Sequence, residues 1–175
     1  MVVTLEAWLT KHPGEAAAWR ALAATQDLAG LESQEARRRA IALDPRDEDS
    51  QGALIEAMST RGDVEGAIAE YRRFVARHPQ DVDRGLALAG GLLNGAERER
   101  GLALAREIGE RTGRRAPALT SLLEFYNLAD EPELALGVAR RLVKLAPRSA
   151  EVQIALGEQL YQMGRTPEAL AAWGR

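Results

Sequence analysis

The sequence predicts an all-α solenoid of stacked antiparallel helix pairs, about eleven helices in total, and three observations carry that prediction. Landmarks recur at a fixed interval: Leu54, Leu88, Leu122 and Leu156 stand 34 residues apart, as do Arg38, Arg72, Arg106 and Arg140, and also Glu65, Glu99 and Glu133. Within each interval two apolar stripes appear, with spacings of three and four that place their residues on one helical face. Alternation of period two is missing over any useful length, so no strands are expected. Pro45, Pro79 and Pro147 keep the same beat with Gly113 in the remaining place, and Ala67, Gly101, Ala135 and Ala169 mark one small residue per unit. Upstream the step shortens to 32 residues, from Leu22 to Leu54 and from Pro13 to Pro45.

Taken in order, residues 2–11 form one helix with Leu5, Trp8 and Leu9 apolar, stopped at Pro13. Proline has no backbone donor and clashes with the preceding turn, so it ends a helix. Residues 15–29 and 31–43 make a short hairpin turning at Gly30, with Arg37 where an aromatic residue is expected. The clearest hairpin is 47–60 with 64–77. Leu54, Ile55 and Met58 form its first stripe, and Val64, Ala67, Ile68, Tyr71, Phe74 and Val75 form its second. Between them Asp63 can accept from free amides at the start of the second helix, while Arg77 and His78 suit its negative end. The hairpin 82–93 with 97–112 is the odd one, because Gly85, Gly90, Gly91, Gly95, Gly101 and Gly109 fall in or beside it. Each glycine inside a helix costs about 1 kcal/mol relative to alanine. Residues 116–128 and 132–145 restore the pattern, with Pro132 in a first turn where its missing N–H matters least. Residues 149–163 open a last unit, whose second helix starts at Thr166-Pro167-Glu168.

A 34-residue period of paired helices resembles the tetratricopeptide repeat, whose pattern runs W-x2-L-G-x2-Y, then A-x3-F, then P. Trp19, Leu22 and Ala23 fit its opening, and Leu122 to Tyr126 and Leu156-Gly157 with Leu160 carry parts of the same phrase. Ala67 with Tyr71 and Pro79, and Ala169 with Trp173, carry its second half. The resemblance covers the whole chain and implies a right-handed superhelical solenoid. On this reading 1–175 is a single repeat domain: a half unit at 1–13, hairpins at 14–46, 47–81, 82–115 and 116–148, and an incomplete unit at 149–175.

Composition narrows the function. A net charge of −3 argues against a general affinity for nucleic acid or an anionic membrane. No stretch is long and apolar enough to span a bilayer, and the first residues lack the organisation of a secretory signal. A cytoplasmic location is expected, or a periplasmic one if the sequence is an excerpt of a longer precursor. The absence of cysteine excludes disulfides, thiolate catalysis and cysteine-ligated zinc. His12 and His78 each precede a proline at a helix end, where a donor or cationic side chain is favourable, so both read as structural. Without a phosphate loop, a metal-spaced histidine pair or a nucleophile elbow, no catalytic residue, cofactor or metal site is expected, and the chain reads as a non-enzyme. The pairs Arg38-Arg39, Arg72-Arg73 and Arg140-Arg141 read as a solvated face supported by glutamates one turn earlier.

The resemblance implies that one face of each first helix lines a concave surface. Carried over unit by unit, it nominates Arg20 and Asp27, then Asp49 and Glu56, then Asp83, Leu86, Gly90 and Leu93. It continues with Glu124 and Asn127, and ends with Glu151, Ile154, Glu158 and Tyr161. Only Arg20 is basic among them, so the groove is expected to be acidic. The function this implies is a non-catalytic scaffold that holds a peptide or helix of a partner protein, with a preference for a basic segment. Leu86, Leu93, Ile154 and Tyr161 are the expected apolar anchors. The competing reading is a self-assembly or spacer segment that associates through its ends, since the helix at 2–11 lacks a partner and the last helix exposes Leu170 and Trp173.

Overall fold

The computed structural model describes residues 2–94 and 96–174, and Gly95, counted above among the glycines, lies outside them. Among the described residues there are eleven α-helices and no strand: α1 (Val2–Leu9), α2 (Ala16–Leu28), α3 (Gln34–Leu43), α4 (Glu48–Thr60), α5 (Val64–Arg77), α6 (Asp83–Gly91), α7 (Arg98–Thr112), α8 (Ala116–Leu128), α9 (Pro132–Leu145), α10 (Ala150–Gln162) and α11 (Thr166–Trp173). Helices pair as α2 with α3, α4 with α5, α6 with α7, α8 with α9 and α10 with α11. They form two compact units, Met1–Pro79 and Gln80–Arg175.

The turns show why the pairs repeat. Gly30, Gly62, Asp130 and Gly164 all have positive φ, of 67°, 83°, 53° and 73°. Each follows a first helix, and the amide after it reaches back five residues: Leu31 N to Gln26 O at 2.8 Å, Asp63 N to Met58 O at 2.9 Å, Glu131 N to Tyr126 O at 2.9 Å and Arg165 N to Leu160 O at 2.8 Å. This left-handed closure satisfies carbonyls that the helix end leaves open. In the third hairpin the corresponding position is Ala96, which has neither the freedom of glycine nor the short polar side chain that lets Asp130 adopt the left-handed conformation. There α6 ends early, at Gly91, so the sequence-predicted helix to residue 93 is too long. The other differences are small: α1 stops at Leu9 rather than 11, and α3 begins at Gln34 rather than 31 because Leu31 is bonded into the turn.

First helices start on a recurring cap. Asp47 accepts from Ser50 N at 3.0 Å, Asp81 from Arg84 N at 3.2 Å and Ser149 from Val152 N at 3.4 Å. Arg115 holds the same place in α8, and its guanidinium donates instead to Gln80 O at 3.2 Å. The proline corners are tied down by a donor six residues on: Trp19 Nε1 to Pro13 O at 2.9 Å, Gln51 Nε2 to Pro45 O at 2.8 Å and Gln153 Nε2 to Pro147 O at 2.8 Å. Those bonds satisfy the amide nitrogens of the two core glutamines, and Arg77 donates to Gln51 Oε1 at 3.1 Å, whereas Gln153 Oε1 is buried without a partner among the described residues.

Burial follows the stripes. Leu54, Leu88 and Leu122 are 1%, 6% and 1% exposed, one equivalent residue per hairpin. Ala67, Ala135 and Ala169 are fully buried where second helices meet first ones. At the equivalent Gly101 the approach is closer still, since a Cβ there would lie 2.6 Å from Ala89 O. At the last pair, Trp173 lies over Gly157 and donates to Ile154 O at 3.3 Å, which leaves the indole 41% exposed.

Candidate functional site

In the first unit the nominated face is partly consumed by its own ion pairs. Arg20 donates to Asp47 at 2.7 Å and lies 3.7 Å from Asp44, and Asp27 pairs with Arg37. Burial disfavours a charge on Asp47, but bonds from the Ser50 hydroxyl and amide and from Arg20 outweigh it and hold the carboxyl pKa at about 2. Asp49 and Glu56 are exposed, and neither side chain has a partner among the described residues. A cleft of about 360 Å³ lies beside Glu56, with Arg37 and Arg61 in its wall.

The second unit keeps more of the face open. Asp83 is exposed on α6, Glu124 and Asn127 on α8, and Glu151, Ile154, Glu158 and Tyr161 on α10. On α10 the last four stand at steps of three and four, so acids and apolar groups alternate along one stripe. Ile154 is 49% and Tyr161 59% exposed. Gly90 is half-buried near the end of α6. Leu86 corrects the sequence expectation: it is 7% exposed and belongs to the core. Helix α6 packs on both α7 and α8, and its buried face widens to take in Leu86 with Gly85, Leu88 and Ala89. Leu93 lies beyond the helix, half-buried, because α6 has already ended.

A second feature of this unit lies on the other helices. Between α7 and α9, over α8, runs a cleft of about 520 Å³ floored by Leu122 and Tyr126 and walled by Leu134 and Val138. A smaller cleft of about 230 Å³, over Leu119 and Leu145, shares Arg141 with it and adds Arg114 and Lys144. The arginine reading above needs correction here. Arg39 pairs with Glu35 at 2.9 Å and Arg73 with Glu70 at 2.7 Å, but Arg141 donates to Gly109 O, Thr112 Oγ1 and Gly113 O at 3.1, 3.3 and 2.9 Å. Burial pushes the Tyr126 hydroxyl up, against the pull of Arg106 and Arg141. The sequence carried a signal for this cleft. Gly109 stands where the other units have Ile41, Val75 and Val143, and Gly137 where they have Ala69, Ala103 and Ala171.

Among the described residues no group of three His, Asp or Glu could hold a metal ion, and no helix is long and apolar enough to cross a membrane. Both histidines make end-of-helix contacts. His12 stacks on Trp8 with centroids 4.1 Å apart and lies 3.2 Å from Trp8 O, while His78 stacks on Phe74 at 4.6 Å and meets Glu48 at 3.0 Å.

The sequence matches no protein-family model and no curated protein. Solved structures do match. A tetratricopeptide repeat protein from Parabacteroides merdae aligns with 98% of this chain and 69% of its own, at TM-score 0.52 and 14% sequence identity. TTC0263, a thermophilic TPR protein of Thermus thermophilus, aligns over 91% and 89% of the two chains at TM-score 0.45 and 24% identity. MamA from Desulfovibrio magneticus RS-1 aligns over 91% of each at TM-score 0.48 and 15% identity. The fold is that of a tetratricopeptide repeat protein, built from helix pairs on a 34-residue period.

Proposed function

We propose that the chain is a non-catalytic interaction scaffold in which the first-helix faces of each unit present acidic side chains to a basic segment of a partner protein. The observation that supports this is the set of side chains spent on no packing. Asp49, Glu56, Asp83, Glu124, Glu151 and Glu158 are exposed, and their side chains have no partner among the described residues. Acids of one sign on one face raise the local potential and favour Lys- or Arg-rich segments over acidic ones. Binding energy in such grooves comes from a few apolar anchors, and Ile154 and Tyr161 are exposed to serve.

The test is a titration of the protein with a lysine-rich amphipathic peptide and with its glutamate-rich counterpart, followed by fluorescence anisotropy. The basic peptide is expected to bind and to weaken as salt rises, because screening reduces the charge term. Changing Glu56, Asp83 and Glu124 together to lysine should abolish that preference with the circular dichroism unchanged. Equal affinity for both peptides, or an unaltered triple variant, would remove the acidic groove from consideration.

A further inference from the structure

Two surfaces of the second unit are complementary to each other, and neither is covered. The α10 stripe presents exposed Ile154 and Tyr161 between the acids Glu151 and Glu158. The clefts between α7 and α9 have an apolar floor on α8, with Leu119, Leu122 and Tyr126 at steps of three and four. The larger cleft is bordered by Arg106 and Arg141 against Glu110 and Glu133, and the smaller by Arg114, Arg141 and Lys144 with no acid among its lining residues. Of the cations, only Arg141 forms hydrogen bonds to other described residues, and they go to carbonyls and a hydroxyl rather than a carboxylate.

We propose that the acidic, aromatic stripe of α10 in one copy of this chain docks in the basic-rimmed cleft between α7 and α9 of a second copy. The inference rests on the reading of the first-helix face as a binding surface and names one partner for its α10 portion. Dimensions agree. The apolar part of the stripe, from Ile154 to Tyr161, and the floor, from Leu119 to Tyr126, each run seven steps of helix, about 10 Å at 1.5 Å per residue. The larger cleft, about 520 Å³, accommodates an aromatic side chain, and Tyr161 is the most exposed aromatic residue of the stripe. Glycine at 137 keeps the mouth open, since a Cβ there would meet nothing within 4 Å. With the stripe seated across both clefts, its acids Glu151 and Glu158 meet the excess of positive charge at the smaller one, from Arg114, Arg141 and Lys144.

The contact joins two different patches, so it is heterologous. Each copy offers one stripe and one cleft. That predicts a diagnostic mixing result in sedimentation velocity. The wild-type chain should gain mass as concentration rises and lose it as salt rises. A stripe variant, Glu151→Lys with Glu158→Lys, and a cleft variant, Arg106→Glu with Lys144→Glu, should each remain monomeric. Mixed together, they should recover association, because the intact stripe of one meets the intact cleft of the other and the two reversed surfaces, Lys against Glu, are complementary again. Gly137→Leu, which blocks the mouth without touching a charge, should also prevent association. A wild-type chain that stays monomeric at every concentration, or association that survives either charge reversal or Gly137→Leu, would overturn the proposal. Neither result would touch the peptide titration above, which depends on Glu56, Asp83 and Glu124.

Discussion

Replacing Gly101 by alanine sets two known effects against each other at one site. Alanine in a helix interior is favoured over glycine by about 1 kcal/mol, so α7 should gain from the change. The added methyl, however, would lie 2.6 Å from Ala89 O and 3.1 Å from Leu92 Cβ. The first of these is a backbone oxygen held in α6, which cannot swing aside as a side-chain end could. Relief must come from moving one helix against the other, and overpacking of this kind costs about 1–3 kcal/mol. Gly101→Ala is therefore expected to lose about 1 kcal/mol net, and Gly137→Ala, whose methyl meets nothing, to gain about 0.5–1 kcal/mol. Urea titrations followed by far-ultraviolet circular dichroism would give both values. The contrast matters more than either number. If Gly101→Ala proves as stable as Gly137→Ala, the close approach of α6 and α7 is not what glycine at 101 provides.

Other outcomes follow from the same packing. Leu54→Ala and Leu122→Ala should each destabilise by about 2–5 kcal/mol, since both are fully buried, and a loss under about 1 kcal/mol in the same titrations would break the assigned repeat register. Asp47 has a folded value of about 2 against an ordinary 3.8, so its contribution is present above about pH 4 and lost as pH falls toward 2. Asp47→Asn should flatten that part of the stability profile, and an unchanged profile would show that the cap does not hold the charge. Hydrogen exchange should find residues 83–91 less protected than 48–60, because α6 has 9 residues against 13 in α4; equal protection would refute that link.

Most of the fold was legible because a repeat states each rule several times. Leu54, Leu88 and Leu122 named the buried register, and Ala67, Gly101, Ala135 and Ala169 named the helix contacts, before any coordinate was needed. Helix ends were less legible. Nothing about Ala96 looks unusual until it is aligned with Gly30, Gly62, Asp130 and Gly164, which share a positive φ, and the sequence does not mark the end of α6 at Gly91. The candidate groove was harder for a different reason. Spacings of three and four put Leu86 on the same face as Gly52, Thr120 and Ile154, but spacing says nothing of how many neighbours that face has. Leu86 in α6 is covered, whereas Ile154 in α10 remains open, although each of the two helices packs on two others.

Charge raised the same difficulty. Asp27 and Glu56 read alike in the sequence, yet Asp27 is neutralised by Arg37, ten residues on, while the Glu56 side chain has no partner among the described residues. An ion pair across a turn depends on where two long side chains end, which helical periodicity does not encode. What periodicity does encode is its own violation. Glycine at 109, in place of the β-branched residues of the other units, removes the side chain that would stand over Leu122, and a Cβ there would lie 2.9 Å from Leu122 Cδ2. The Gly109 carbonyl also accepts from Arg141, 3.1 Å away. Two residues that break the repeat, Gly109 and Gly137, thus line the cleft, which makes such departures the places to search for what distinguishes this chain from its fold.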